Sequence, residues 1–303
     1  MIIFVVVLVI IGTFQLVYDN ARRNVLDAWS DSVSQLARNT EYYLSRPADV
    51  IEISSAEVER MLDRGKTSDE IKDFLVSEKD LYAGLINNNY TGVYGYCKGK
   101  YLDASGWIPM KGFDATKRPW YVAAKKNKGK VTLVPPFRSR QTDEMIMSVS
   151  KLLKDGKTVL SADIHIDKLQ QTVHKVLSRK GAKEAFIVDR SGIIIAHSEN
   201  TEVGKNYKEH GTAYQKDLIE CVRAAEKRST HSVQGPRESD LVYTKKMKGG
   251  WTTALVLDES KMLSQVQSIK IFLAMLLVLT IIGGVLIFRN ITRKYKEVRT
   301  AVT

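Results

Sequence analysis

Cysteine is nearly absent from this chain. Cys97 and Cys221 are the only two, and they fall far apart in different predicted units, so two unpaired buried thiols are expected rather than a structural disulfide. The five histidines, His165, His174, His197, His210 and His231, show no metal-ligand spacing, and each reads as a surface or satisfied core residue. No GxSxG, HExxH or phosphate-loop sequence occurs, and no serine or cysteine stands beside an evident base. An enzyme is therefore not expected, and neither is a cofactor. Proline is scarce at six residues, and neither proline nor glycine interrupts the stretch between Gly12 and Pro47. Charge is missing altogether from Ile271 to Phe288.

The two ends are apolar. Ile271 to Phe288 covers roughly 27 Å as a helix at about 1.5 Å per residue, close to the hydrocarbon thickness of a bilayer. Arg289, Arg293, Lys294, Lys296 and Arg299 follow it directly, and such a cluster marks the cytoplasmic flank. Ile2 to Val17 is shorter. It has no basic region before it and no small-x-small cleavage site after it, which argues against a signal peptide; a buried soluble helix is the alternative. Two spans then place both ends inside and residues 19–270 outside. The formal charge of +12 belongs partly to the inner flank and is otherwise scattered, so it reads as a solvated surface near an anionic envelope and not as a nucleic-acid face. Apolar residues at 44% and charged residues at 26% are ordinary for folded domains.

Leu26, Trp29, Val33, Leu36, Thr40 and Tyr43 recur at steps of three and four, the stripe of one long helix leaving the membrane. That stripe suits packing on its own domain or on a second copy. A second helix is expected from Ser55 to Ser77, capped by Ser54 or Ser55. Strands follow at Leu81 to Ile86, Gly92 to Cys97 and Tyr101 to Leu102, with Asn87, Asn88 and Asn89 as turn formers. Pro119 opens a short helix over Trp120 to Lys126. Val131 to Val134, Met145 to Leu153 and Thr158 to Ile164 complete an antiparallel set, with Lys154 to Lys157 as a hairpin turn. Asp167 is expected to cap a helix reaching Leu177. A smaller version of the plan follows: strands at Ala185 to Val188 and Ile193 to His197, a helix near Thr212 to Lys227, and strands at His231 to Gln234, Leu241 to Lys245 and Trp251 to Leu257. Glu259 to Lys270 leads into the second apolar run. The predicted fold class is α+β, with two tandem antiparallel-sheet modules on a long helix.

The segment from Gly112 to Tyr121 holds the densest group of ligand-capable side chains. Arg118 offers a planar fork of donors for a carboxylate, and Trp120 and Tyr121 offer rigid apolar walls with polar tips. The alternative is that Arg118 pairs with Asp114 and the aromatics fill core.

Arg118-Pro119-Trp120-Tyr121-Val122-Ala123-Ala124, then Val131-Thr132, Pro136-Phe137, Met145 to Lys151 and Ala162-Asp163-Ile164 together resemble the double Cache sensor domain. Val188 to Gly192 with Ile195-Ala196-His197 is similar to the start of its membrane-proximal module. The resemblance covers residues 19–270 and implies PAS-like modules bracketed by two transmembrane helices: 1–18 a first span, 19–80 the stalk and second helix, 81–178 the membrane-distal module, 179–270 the proximal module, 271–288 a second span and 289–303 an inner signalling helix. It implies a bacterial or archaeal membrane receptor of chemoreceptor, histidine kinase or diguanylate cyclase type, expected to act as a homodimer. Residues 87–107 tilt toward cyclases or kinases. The resemblance also implies a pocket in which Arg118 and Trp120 hold a ligand carboxylate, Tyr121 stands beside them, and Asp163 takes an ammonium group. At two places the chain departs from the amino-acid pattern: Phe113 replaces a tyrosine, and Phe137 and Ser139 stand where an aromatic and an aspartate are expected. The implied ligand is an amino acid or a related small carboxylate. Asp163 as a strand-end turn residue is the alternative for that position. A non-signalling envelope or accessory protein and a membrane-anchored hydrolase are the other readings of the whole. Ile291, Tyr295, Val298 and Val302 continue as a short heptad seam or an amphipathic surface helix.

Overall fold

The structure is a computed structural model that describes residues 2–86, 90–224, 230–234, 239–262 and 264–302; the side chains of residues 2–7, 10, 85–86, 231, 234, 239, 265–266, 269 and 295–302 are outside the description. The turn expected at Asn87 to Asn89, and the end of the helix expected to reach Lys227, lie outside the described residues.

One helix, α1 (Ile2–Asp63), forms the spine. It buries the stripe read from the sequence, with Trp29, Val33, Leu36, Thr40 and Leu44 inside. It also runs straight past the break expected near Pro47, which lies within it. The missing N–H of a mid-helix proline costs about 3 kcal/mol, and here tertiary packing on both sides outweighs it: Leu44, Val50, Ile51 and Val58 are all buried. Ser54 and Ser55 are fully buried inside α1 and cap nothing. The real break is at residues 64–67. There Thr67 and Glu70 form a reciprocal capping box, with Thr67 N–H donating to Glu70 Oε2 at 2.8 Å and Glu70 N–H donating to Thr67 Oγ1 at 3.2 Å. Helix α2 (Ser68–Ile86) then absorbs the strand expected at Leu81 to Ile86. Its buried residues Ile71, Leu75 and Tyr82 recur at four and seven, a helical period that the short apolar run at its end does not show on its own.

Two sheets follow, both wholly antiparallel. The first contains β1 (Val93–Cys97), β2 (Lys100–Asp103), β3 (Thr132–Arg138), β4 (Met145–Leu152) and β5 (Val159–His165), in the order β2-β1-β5-β4-β3. Helix α3 (Pro119–Lys126) connects β2 to β3, and α4 (Asp167–Leu177) leaves the sheet. Asp167 is the first residue of α4; the capping position is Ile166, which offers no side-chain bond. The second sheet contains β6 (Ala182–Val188), β7 (Ile194–His197), β8 (Thr230–Gln234), β9 (Ser239–Lys246) and β10 (Thr252–Asp258), in the order β7-β6-β10-β9-β8. Helices α5 (Tyr207–His210) and α6 (Ala213–Ala224) lie between β7 and β8, and α7 (Glu259–Met262) leads to α8 (Ser264–Val302). The architecture is α+β, one long helix bearing two antiparallel sheets. Both cysteines are free thiols; Cys97 is buried and Cys221 half-buried.

Strand alternation splits each sheet into two faces. In the first, Val93, Leu102, Met147, Val149, Leu160, Ala162 and Ile164 pack toward α1 and α2 in one continuous core. The second sheet joins that core through Ala185, Ile187, Ile195, Leu255 and Leu257. The spine is tied to both sheets by side-chain bonds: Tyr43 Oη donates to the His165 carbonyl at 3.0 Å, and Lys248 N–H donates to Glu41 Oε1 at 2.6 Å. Among the described residues, Lys270–Lys294 is the one helical segment long and apolar enough to cross a bilayer. Where α8 begins beside α1, the Lys270 ammonium lies 5.7 Å from the centre of the Tyr18 ring.

Candidate functional site

The other face of the first sheet is polar where a core would be expected. Register aligns Asp103 with Tyr94, Tyr94 with Ser161, and Ser161 with Ser150, a row across four strands. Ser148 and Asp163 pair in the neighbouring row. Ser148, Ser150 and Ser161 are fully buried. Their small side chains leave space over the sheet, and α3 with the loop before it closes that space.

The loop is shaped locally. Asp114 caps the turn Ala115–Lys117, accepting from Thr116 N–H at 3.0 Å and Thr116 Oγ1 at 2.6 Å, and Lys117 Nζ stands 3.3 Å away. Asp114 is thus engaged by its neighbours, and the alternative in which it pairs with Arg118 is not what forms. Pro119 occupies the first position of α3 and keeps Arg118 extended, at φ −78° and ψ 148°, because the residue before proline is driven out of the helical region. The guanidinium is held off the helix, where Nη2 donates to the Arg138 carbonyl at 3.2 Å and the Phe137 ring centre is 5.8 Å away. Trp120, the second residue of α3, is buried with its ring edge-on to Tyr94 at 5.3 Å.

Together these groups line a narrow cavity: Tyr94, Tyr101, Asp103, Trp107, Phe113, Arg118, Trp120, Phe137, Ser139, Arg140 and Asp163 face it. About 40 Å³ of it is open to the centre of a water molecule. A wider vestibule, about 470 Å³ on the same measure, adjoins it and shares Trp107, Phe113, Arg118 and Arg140 as walls. Asp163 and Asp103 line only the inner cavity, Arg118 and Arg140 line both spaces, and Asp114 lines the vestibule.

Asp163 Oδ1 accepts from Tyr94 Oη at 2.5 Å and from Ser148 Oγ at 2.7 Å. Its Oδ2 accepts no hydrogen bond from the described residues. Burial, helped by the nearby Asp103 carboxylate, raises the Asp163 pKa to about 6 against the lowering effect of those two hydroxyls and His165. Burial, and after it the Asp163 charge, pushes the Tyr94 hydroxyl well above its usual range. Burial lowers the Arg118 pKa, and repulsion from Arg140 lowers it as well.

Of the residues expected from the sequence, Phe113, Arg118, Trp120, Phe137, Ser139 and Asp163 come together around the cavity. Tyr121 does not line it; its ring lies edge-on to Tyr96 at 5.7 Å and its hydroxyl approaches the Lys157 carbonyl at 3.5 Å. Ser139 Oγ is occupied by the turn that follows, accepting from Gln141 N–H at 3.1 Å and Thr142 N–H at 3.3 Å. A carboxylate does line the cavity from another strand: Asp103, which accepts from Tyr101 Oη at 2.7 Å and Ser105 N–H at 2.7 Å. Tyr94, Tyr101, Asp103, Trp107 and Arg140 were not anticipated. Alternation along Tyr94-Gly95-Tyr96 and Tyr101-Leu102-Asp103 carries part of that signal, since residues two apart share a face, but only the pairing of strands joins the two segments. No group of three or more histidine, cysteine, aspartate or glutamate residues suited to a metal ion occurs among the described residues.

The chain is similar to the methyl-accepting chemotaxis proteins McpB and TlpB of Bacillus subtilis. It is 26% identical to McpB over 84% of this chain and 37% of McpB, and 24% identical to TlpB over 96% of this chain and 42% of TlpB. It therefore spans less than half of either relative. It is also 30% identical to adenylate cyclase 1 of Rhizobium meliloti, over 41% of this chain and 20% of that protein. Its fold is that of the ligand-binding domain of the Pseudomonas fluorescens chemoreceptor CtaA, in complex with L-isoleucine, with a TM-score of 0.63 at 20% identity over 82% of this chain and 98% of that domain. The ligand-binding domain of the Pseudomonas aeruginosa amino acid chemoreceptor PctC, in complex with GABA, matches with a TM-score of 0.59 at 21% identity over 77% of this chain and 99% of that one. Residues 17–266 match the Cache domain family, in its double Cache form, and the chain belongs to that family.

Proposed function

We propose that this chain is the sensing part of a two-pass membrane receptor, and that the cavity over its first sheet binds a small amino acid or related carboxylate. The observation that carries this reading is the free Asp163 Oδ2 deep in a cavity whose mouth is held by Arg118. A carboxylate inside and a guanidinium outside oppose the two charges of a zwitterion, each through a charge-assisted bond. The arrangement favours a zwitterion over a simple acid or a simple amine. The solved neighbours CtaA and PctC, with L-isoleucine and GABA bound, support an amine-bearing carboxylate as the ligand class.

In this reading α1 and α8 both cross the membrane, residues 19–270 lie outside the cell, and the chain works as a homodimer with no nucleic-acid partner. Closure of the cavity moves the loop carrying Arg118 relative to the sheet. The shift reaches the second sheet through α4, where Gln170 donates to Asn200 Oδ1 at 2.7 Å and accepts from His197 N–H at 2.8 Å. It leaves through α7, capped by Asp258, into α8. A ligand moves such an equilibrium only by its difference in affinity for the two arrangements. The relatives named as chemotaxis proteins support a chemoreceptor output in place of the cyclase or kinase output that residues 87–107 suggest. The sensing part itself catalyses nothing.

The test is a thermal-shift screen of the full chain in lipid nanodiscs against amino acids, small organic acids and amines, repeated with Arg118→Ala and Asp163→Ala. A rise in melting temperature that both variants abolish supports a zwitterion sensor, because a ligand that binds only the native state stabilises it. Loss in Arg118→Ala alone points to a simple carboxylate. A shift that survives both variants contradicts the assignment.

A further inference from the structure

The mouth of the cavity holds more positive charge than one carboxylate requires. Arg118 and Arg140 line both the cavity and the vestibule, and Lys111 and Lys117 line the vestibule. The acid beside them, Asp114, is already engaged by Thr116 and Lys117. Arg140 is exposed and makes no hydrogen bond or ion pair among the described residues. Its neighbour Arg138, two positions back, is tied to the Asp143 carbonyl at 2.6 Å and its carboxylate at 3.3 Å. Arg118 spends one donor on the Arg138 carbonyl. Two guanidinium groups therefore face one opening with most of their donors free. Burial, and after it the nearby Arg140, disfavours the charge on Arg118, and an anionic group placed between the two guanidinium groups favours it.

The balance of charge leads to the same place. Asp103 and Asp163 offset Arg118 and Arg140, and Asp114 offsets one of Lys111 and Lys117, which leaves one positive charge in excess around the joined spaces. A neutral zwitterion leaves that excess in place, whereas a ligand with a second carboxylate cancels it. Geometry agrees: the inner space is narrow and the vestibule beside it is wide, so a ligand side chain has room to extend along Trp107 and Phe113 toward Arg140.

We propose that the ligand is an α-amino acid whose side chain carries a second carboxylate. Its ammonium rests on Asp163, its α-carboxylate on Arg118 and its side-chain carboxylate on Arg140. Arg140 is then the residue that sets specificity. This proposal rests on the amino-acid reading given above.

Isothermal titration of the full chain in nanodiscs with L-glutamate, L-aspartate, L-glutamine and L-asparagine separates the two. In the wild type at least one acid is expected to bind about tenfold more tightly than its amide. In Arg140→Gln that ratio falls to about two or less, as expected when one arm of a charge pair is replaced by a neutral donor. Binding of either acid is lost in Arg118→Ala. An amide that binds as tightly as its acid, or a ratio unchanged in Arg140→Gln, overturns the acidic-ligand proposal and leaves the amino-acid reading standing. So does binding of an apolar amino acid in preference to all four. Binding of an acid that survives Arg118→Ala overturns both.

Discussion

The two sheets share one strand order and one connection plan, yet their outer faces differ in kind. Over the second sheet, Phe186, Val188, Val242, Ala254 and Val256 meet Leu218, Ile219 and Val222 of α6 and fill the space with apolar core. Over the first, Trp120 and Ala124 of α3 pack on Tyr94, Val134, Leu152 and Val159 in a smaller apolar cluster, and beside it Tyr94, Ser148, Ser161 and Asp163 form a polar patch with a cavity above it. The long helix binds the opposite faces of both sheets alike. One architecture therefore carries a filled, mainly apolar layer over one sheet and a cavity with a polar lining over the other. The polar version has a cost: Asp163 is held near a cavity that disfavours its charge. Ser150 Oγ is buried without a hydrogen-bond partner among the described residues. Sites built to bind are often less stable than they could be.

The sharpest way to break the comparison is to open the filled face. Phe186→Ala removes a fully buried ring and is expected to destabilise the chain by about 3–5 kcal/mol, measured by thermal or denaturant unfolding. Ligand affinity at conditions where the chain is folded should be unaffected.

Next in size, Arg118→Ala should weaken ligand binding by at least about 100-fold, in the range found when one partner of a buried charge pair is removed. Its effect on unfolding should be small, because the side chain makes a single protein hydrogen bond.

Asp163→Asn should separate stability from function in one variant. The folded-state pKa of about 6 lies above the ordinary 3.8, so between about pH 4 and 6 the native ligand-free chain holds a proton that the unfolded chain has released. The associated stability is fully present below about pH 4 and is lost as pH rises through 6. At pH 7.5 the neutral amide should therefore raise the melting temperature, by about 2–4 °C for each kcal/mol recovered, while abolishing binding of the amine. In the unmodified chain, ligand affinity should fall as pH drops through about 6, when the carboxylate is neutralised.

The smallest effect is expected at Ser150. Ser150→Ala removes an unpartnered buried hydroxyl and should leave stability unchanged or slightly higher in the same unfolding assay. A loss of more than about 1 kcal/mol would show that this hydroxyl has a partner in solution.

The periodic elements were legible in the sequence. The helical stripe through Trp29, Val33 and Leu36 is buried as read, and most strands begin or end within a residue or two of the expected positions. The failures have physical causes. Pro47 and the serines at 54 and 55 carry local signals for a helix break that burial on both sides overrides, and the true signal, Thr67 with Glu70, was passed over. Leu81 to Ile86 is too short a run to separate strand from helix by its pattern. In the site, Arg118, Trp120 and Asp163 were legible because they lie in compact motifs. Asp103, Tyr94 and Arg140 were not, because what brings them to the cavity is the register of β1 against β2 and β5 and the turn after β3. Pairing between strands distant in sequence leaves no mark in either strand alone.

The central claim is that the polar face binds and the apolar face supports. Calorimetric titration of the full chain, with the amino acid that gives the largest thermal shift, tests it through stoichiometry. One ligand per chain, lost in Arg118→Ala and retained in Tyr207→Phe of the second sheet's core, is the predicted result. Two ligands per chain, or a single site that survives Arg118→Ala and disappears in Tyr207→Phe, would contradict it.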